Sequence, residues 1–436
     1  MENNKINNKS LKTFNLSDWI TFAILILSNF LSPVIYTCIF PFFNDIALIK
    51  NVSFICVGII FGIFNFGSFI LSPIIGRVIA IFGSRKIFII GICLLSLGTI
   101  LFSPVYLIKN KHYFFGICLF LRFIQSVGKT MIYTTTYVIA SKNFLHHMST
   151  ILGCVEFGAG FGYTIGPFIG GFLYQYFGFY YIFLFLGFLS IIIGIFSFLY
   201  INLDDNKLKN VIRDKNHVCE SEKNYSWKKI IKIKDIWCLI YTIFFVGITS
   251  SFQDSSIPIG LKQFHFNSTK VGLMYIFFGG TYTIFSPISG FISDKYSVAN
   301  FLIIFGYFLQ TIVFLLLGST SFFNYNPTEI LYIICLLFMG FSSSIIYVPS
   351  FKKTITILKN EHKFLYNFKI LSIVSGIFCS SYSLGALLGP IIGSLLINNY
   401  GYHSTIVIFS IISFISMILF IILYIIPRII KKIRKN

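Results

Sequence analysis

Apolar residues run in long blocks, separated by short polar breaks, from one end of this 436-residue chain to the other. Twelve blocks can be marked: roughly 19–42, 53–80, 87–108, 113–140, 149–173, 178–201, 237–260, 271–292, 299–318, 328–350, 370–397 and 403–427. About 20 apolar residues cross the hydrocarbon core of a bilayer as a helix. Backbone amides in lipid must be satisfied within the segment, which favours helices over irregular chain. The alternative, a membrane barrel, needs short alternating strands, and these continuous runs exclude it. The pattern predicts an all-α membrane protein with twelve spanning helices.

The one long polar interruption, 202–236, carries nine basic and six acidic residues and has no apolar period long enough for a domain. It divides the chain into an amino-terminal tail (1–18), a six-helix bundle (19–201), a cytosolic linker (202–236), a second six-helix bundle (237–427) and a basic tail (428–436). A smaller basic loop, 351–369, joins spans ten and eleven. The two bundles repeat one another. Gly58, Ser72, Pro73 and Gly76 recur as Gly272, Ser286, Pro287 and Gly290 at a constant offset of 214. Gly153, Gly162, Gly166, Pro167, Gly170 and Gly178 recur as Gly376, Gly385, Gly389, Pro390, Gly393 and Gly401 at an offset of 223. Internal repeats of this kind let secondary transporters place one substrate site between two rocking halves. Two pseudo-symmetric bundles and a carrier function are therefore expected.

Composition agrees: 56% of residues are hydrophobic, 11% are charged, and mean hydropathy is +0.84. The net charge of +20 could suggest nucleic acid, but its placement argues otherwise. With the amino terminus inside, 27 of the 34 Lys and Arg fall on inner segments. The outer loops carry five: Lys50, Lys109, Lys111, Lys262 and Lys270. This positive-inside bias puts both termini of a multi-pass membrane protein in the cytosol. The basic carboxy-terminal tail is expected to rest on anionic headgroups. Residues 1–18 are polar and the first span is too long for a signal-peptide core, so the first helix is expected to act as its own insertion signal. Nine scattered cysteines show neither metal spacing nor a disulfide framework. No metal or other cofactor is called for, and with no nucleophile motif an enzyme is the least expected class. Asn51 and Asn267 match the glycosylation pattern on the outer side.

Three motifs carry a family resemblance. The stretch after span two, Gly76-Arg77-Val-Ile-Ala80-Ile-Phe-Gly83-Ser84-Arg85-Lys86, resembles the loop motif G-x-x-x-D-x-x-G-R-K of the major facilitator superfamily. It is echoed after span eight by Gly290-Phe-Ile-Ser-Asp294-Lys295. Arg122-Phe-Ile-Gln125-Ser-Val-Gly128 on span four resembles R-x-x-Q-G-x-G. Gly162-Tyr-Thr-Ile-Gly166-Pro167-Phe-Ile-Gly170-Gly171 on span five matches the antiporter-associated G-x-x-x-G-P-x-x-G-G, and Gly389-Pro390 repeats it on span eleven. Small residues there should let span five pack closely, with a kink at Pro167. Within the superfamily, 149–178, 250–254, 286–295 and 374–390 resemble the vesicular amine and polyamine transporters. The resemblance implies that Asp294 alone could serve as an acidic loop latch, since Ala80 stands in the first copy. Acids that monoamine-type members carry align with Ser32, Ser344 and Cys379, which argues against a catecholamine carrier.

The candidate substrate and proton residues are the charged and tyrosine side chains inside spans: Asp254, Glu156, Arg122, Lys129, Tyr133 and Tyr163, with Tyr137 nearby. Carboxyl groups in low dielectric can exchange protons near neutrality, and when ionised they bind amines. Tyrosines on the same spans could form cation–π contacts with an amine. Depth along the helices suggests Lys129 as a structural partner of Glu156. The leading expectation is a monomeric alternating-access carrier that exchanges protons for a small organic cation such as a polyamine. The alternatives are a carrier of an anionic or neutral metabolite using Arg122 and Lys129, and a non-transporting receptor on the same fold.

Overall fold

The computed structural model describes residues 16–143, 148–201, 233–296, 298–318, 327–361 and 368–433. Residues 1–15 of the amino-terminal tail, nearly all of the expected linker and His146-His147 lie outside the described residues, and 16–18 begin the first helix. Eleven helices among those described are long and apolar enough to cross a membrane. The longest, Met148–Tyr200, is two spans joined end to end, because Gly178 (φ +76°, ψ 177°) breaks its helical geometry. Twelve spans result. Span one is Leu16–Thr37, span two Phe54–Phe82, span three Ser84–Phe102 and span four Lys111–Asn143. Spans five and six are 148–177 and 179–200. Span seven is Lys234–Gly260, eight Ser268–Lys295, nine Ala299–Leu317, ten Glu329–Asn360, eleven Phe368–Tyr400 and twelve Tyr402–Phe420. Span twelve runs through the π turn Ile421–Ile425 into a terminal helix, Ile426–Ile433.

Gly178 and Gly401, partners in the sequence repeat, do the same job in both halves. Gly401 (φ +80°, ψ 170°) separates spans eleven and twelve, and such backbone angles are open essentially to glycine alone. Three sequence expectations change. Span one stops at Thr37 rather than near 42, and a turn containing Pro41 leads into the short helix Phe43–Ile49. The stretch after span two is not a loop: the helix continues through Gly76 to Phe82, and Gly83 (φ +86°) alone makes the turn into Ser84. Gly290 and Asp294 are likewise helical. The expected latch at Asp294 concerns a side chain outside those described. Finally, the helix passes through Pro167 with helical backbone angles, and the break comes at Gly178.

Packing repeats with the sequence. Spans one and five, two and four, three and four, and three and six pair in the first half. Spans seven and eleven, eight and ten, nine and ten, and nine and twelve pair correspondingly in the second. Glycines make the tightest pairs possible: a Cβ at Gly162, Gly166 or Gly170 would collide with span one at Phe30, Thr37 or the adjoining Cys38. At Gly385, Gly389 and Gly393 it would collide with span seven at Phe244, Ile248 and Phe252.

The halves meet along two seams, span two on eleven and span five on eight. Both seams close at the face opposite the chain ends. There Gly58 and Gly62 press on the backbone of Pro390 and Leu387, and Gly171 presses on Ser268. The five–eight seam widens toward the terminal face. A Cβ on Gly279 would lie 2.8 Å from Thr164 Oγ1, but one on Gly160, nearer the termini, would lie 3.8 Å from Thr283 Oγ1. The halves form a wedge, shut at the far face.

Candidate functional site: a cavity between the halves

The wedge encloses a cavity of about 320 Å³, walled by spans one, two, four and five from one half and seven, eight, ten and eleven from the other. This lies within the usual size range of small-molecule sites. Six tyrosines line it: Tyr36, Tyr133, Tyr163, Tyr282, Tyr347 and Tyr382. Phenylalanine outnumbers tyrosine by 54 to 25 in the chain, yet Phe278 is the sole Phe of the lining among the described residues. A phenol offers an aromatic face for a cation and a hydroxyl for a carboxylate.

Asp254 lies behind the closed end. It is 1% exposed on span seven and accepts hydrogen bonds at Oδ2 from Tyr163 (2.7 Å) and Ser251 (3.1 Å). Tyr275 donates to its backbone carbonyl at 2.8 Å. Oδ1 has no partner among the described residues. Tyr163 belongs to span five, so its bond to Asp254 ties one half to the other. Further links lie toward the far face: buried Asn44 donates to the Ser255 carbonyl at 3.1 Å, Lys262 pairs with Asp45 at 3.1 Å, and Thr269 donates to Gln175 at 2.6 Å.

Glu156 is exposed at the rim of the cavity. Tyr133 donates to Oε1 at 2.7 Å and Tyr137 donates to the same oxygen, which brings the two phenol oxygens within 2.9 Å of one another.

Lys129 does not pair with Glu156. Its ammonium stands over Phe64 (4.9 Å to the ring centroid) and Tyr36 (5.7 Å). The two are not at equal depth: Glu156 is level with Tyr133 and Tyr137, one and two turns beyond Lys129 on the same face of span four. That is a displacement of about 6–12 Å at 1.5 Å per residue. Lys129 lines the cavity instead.

Arg122 does not reach the cavity. It is fully buried in the first half, donating to the Ile35 carbonyl (3.2 Å) and to Gln125 (3.0 Å), with its guanidinium 5.0 Å from the Phe102 centroid. Gln125 in turn donates to the Gly98 carbonyl at 3.2 Å, so this motif braces spans one, three and four. Arg85 braces the terminal face of the same half, donating to the Phe198 carbonyl at 2.7 Å, while Lys86 is exposed. Of the positions aligned with family acids, Ser32 and Cys379 line the cavity, whereas Ser344 is buried against Ser289.

The sequence reading missed Tyr36, Tyr282, Tyr347 and Tyr382. The available signal was a hydroxylated aromatic inside an apolar span, since a phenol in lipid has no partner.

Twelve spans, a duplicated bundle and a cavity at the seam define a secondary transporter. The family model described as Major Facilitator Superfamily matches residues 25–363 and again 243–435, and the chain belongs to that superfamily. The human (Homo sapiens) protein named MFS-type transporter SLC18B1 is 27% identical over 377 residues, covering 86% of this chain and 79% of its own length. The rat (Rattus norvegicus) protein of that name is 26% identical over 370 residues, covering 84% and 78%. Among solved structures, a mutant of the nucleoside transporter NupG superposes with a TM-score of 0.71 at 12% identity, covering 93% of this chain and 100% of that one. A POT family transporter in complex with 5-aminolevulinic acid gives 0.70 at 12% identity, covering 93% and 95%. At such identity these two speak for the fold alone.

Proposed function

We propose that this protein exchanges protons for a small organic cation, of the polyamine or other amine class, by alternating access. The terminal face is then the cytosolic one, following the positive-inside bias, and the wedge is the inward-open state. The observation that carries the reading is the pair of tyrosine-held carboxylates flanking one aromatic cavity, Asp254 behind its closed end and Glu156 at its rim. A carboxylate that can hold either a proton or an ammonium ion makes the two mutually exclusive, which is what exchange requires. The free Oδ1 of Asp254 is the position for either. Its bond to Tyr163 joins the halves, so competition for this carboxylate acts directly on the seam that must open. The resemblance to the amine and polyamine branch supports the same substrate class.

The test is uptake of labelled amines by proteoliposomes under an imposed pH gradient. Asp254→Asn keeps size and most hydrogen bonding but loses both charge states. It should reach the membrane folded and lose gradient-driven uptake by about 100-fold or more, the scale of one buried charge interaction. Full gradient-driven uptake by that variant would remove Asp254 from the mechanism.

A further inference from the structure

Lys129 is the charged residue of the cavity lining, and its charge points toward no acid among the described residues. Its described contacts are two ring faces, Phe64 and Tyr36, and no carboxylate among the described residues lies within 4.0 Å of its ammonium. Both nearby acids are engaged elsewhere, Glu156 by Tyr133 and Tyr137, and Asp254 by Tyr163 and Ser251. Lys129 sits near the middle of span four, too deep to carry its head to a headgroup layer. An ammonium at this depth faces a polar partner or a cavity by necessity, and here it faces the cavity. The wall beside it supplies a donor: the Ser32 hydroxyl, one turn from Tyr36, is buried without a partner among the described residues. Ring faces can shield a cation but cannot neutralise it, so this part of the cavity is built to receive a negative group.

We propose that Lys129 holds a carboxylate of the substrate, with help from Ser32, and that the preferred substrate is a diamino acid rather than a plain diamine. The inference rests on the amine-exchange reading above, which assigns the ammonium groups to the tyrosine-held carboxylates. A diamino acid carries two ammonium groups and one carboxylate, so it remains a small organic cation. Its carboxylate meets Lys129 while an ammonium reaches the Tyr133–Glu156 group one helical turn away, about 6 Å along span four. A diamine entering the same cavity brings only charges that Lys129 repels.

Two matched pairs isolate the carboxylate: ornithine against 1,4-diaminobutane, and lysine against 1,5-diaminopentane. Each is offered singly and in competition to the full chain in proteoliposomes with an imposed pH gradient. The amino acid of each pair should be preferred by about tenfold or more, the effect of one partly desolvated charge pair. Lys129→Gln should bring that ratio to one or below by losing the amino acid and gaining the diamine, and Lys129→Arg should retain it. A wild-type protein that takes the diamine as well as the amino acid overturns the proposal without reference to any variant. So does an unchanged ratio in Lys129→Gln. Gradient-driven uptake of diamines without amino acids sinks this inference alone, whereas no gradient-driven uptake of any of the four compounds sinks the amine-exchange reading with it.

Discussion

At Tyr133 and Tyr137, two hydroxyls on one face of span four take the carboxylate that helix depth had assigned to Lys129. Hydrogen bonds to a charged group contribute about 1.5–3 kcal/mol each, so the phenols can hold Glu156 without any cation. Lys129, freed from that role, relies on ring faces worth about 0.5–2 kcal/mol. Residues in direct contact couple by about 0.5–3 kcal/mol in a double-mutant cycle, while independent ones add within about 0.5 kcal/mol. Lys129→Ala and Glu156→Gln should therefore be additive in the thermal stability of the purified protein. A strong compensation in the double variant would restore the ion pair and refute the placement of Lys129.

Spans five and eleven are the elements on which packing depends most, because each lays a row of glycines on a neighbour. Gly166 has no room for a side chain: a Cβ there runs into Thr37 on span one. Adding methyl groups to a full interface costs about 1–3 kcal/mol, so Gly166→Val should lower stability by at least that amount. Gly389→Val should do the same against Ile248 on span seven. Gly116 is the control: it is helical, and a Cβ there meets nothing within 4 Å. Gly116→Ala should stabilise by up to about 1 kcal/mol, the propensity difference between the two residues. Thermal unfolding in one detergent would rank all three, and equal behaviour of Gly116 and Gly166 would contradict the packing described.

For the whole molecule, alternating access requires the far-face links to break together. Lys262–Asp45 is half exposed, and such a pair is worth about 0–1 kcal/mol. Lys262→Ala should accordingly shift the balance of open states by no more than about fivefold, read from cysteine labelling at the far face. Tying the same positions covalently is different in kind. Asp45→Cys with Lys262→Cys, joined by a short reducible bis-thiol reagent, should stop transport completely and regain it on reduction. Continued transport by the cross-linked protein would mean that this face does not open during the cycle.

Span number, the two-fold repeat and the superfamily were legible in the chain, because each is a one-dimensional pattern imposed by a solvent that tolerates only long apolar helices. Glycine rows were legible for the same reason: close helix approach leaves a spacing of three or four residues in the sequence itself. The break between spans five and six was visible as Gly178 but not as a backbone angle. What periodicity could not decide is which side of a uniformly apolar helix faces the seam. In a lipid-embedded span both faces are hydrophobic, so Tyr36, Tyr282, Tyr347 and Tyr382 look like membrane-facing aromatics until eight spans converge on one cavity. The partners of the buried charges were hidden for a related reason. A rise of about 1.5 Å per residue measures depth along one helix, and small errors in where two helices begin move the comparison by a full turn. Only the packing of span four on span five put two phenols, and not Lys129, against Glu156. Only the closure of the far face put Tyr163 of one half on Asp254 of the other.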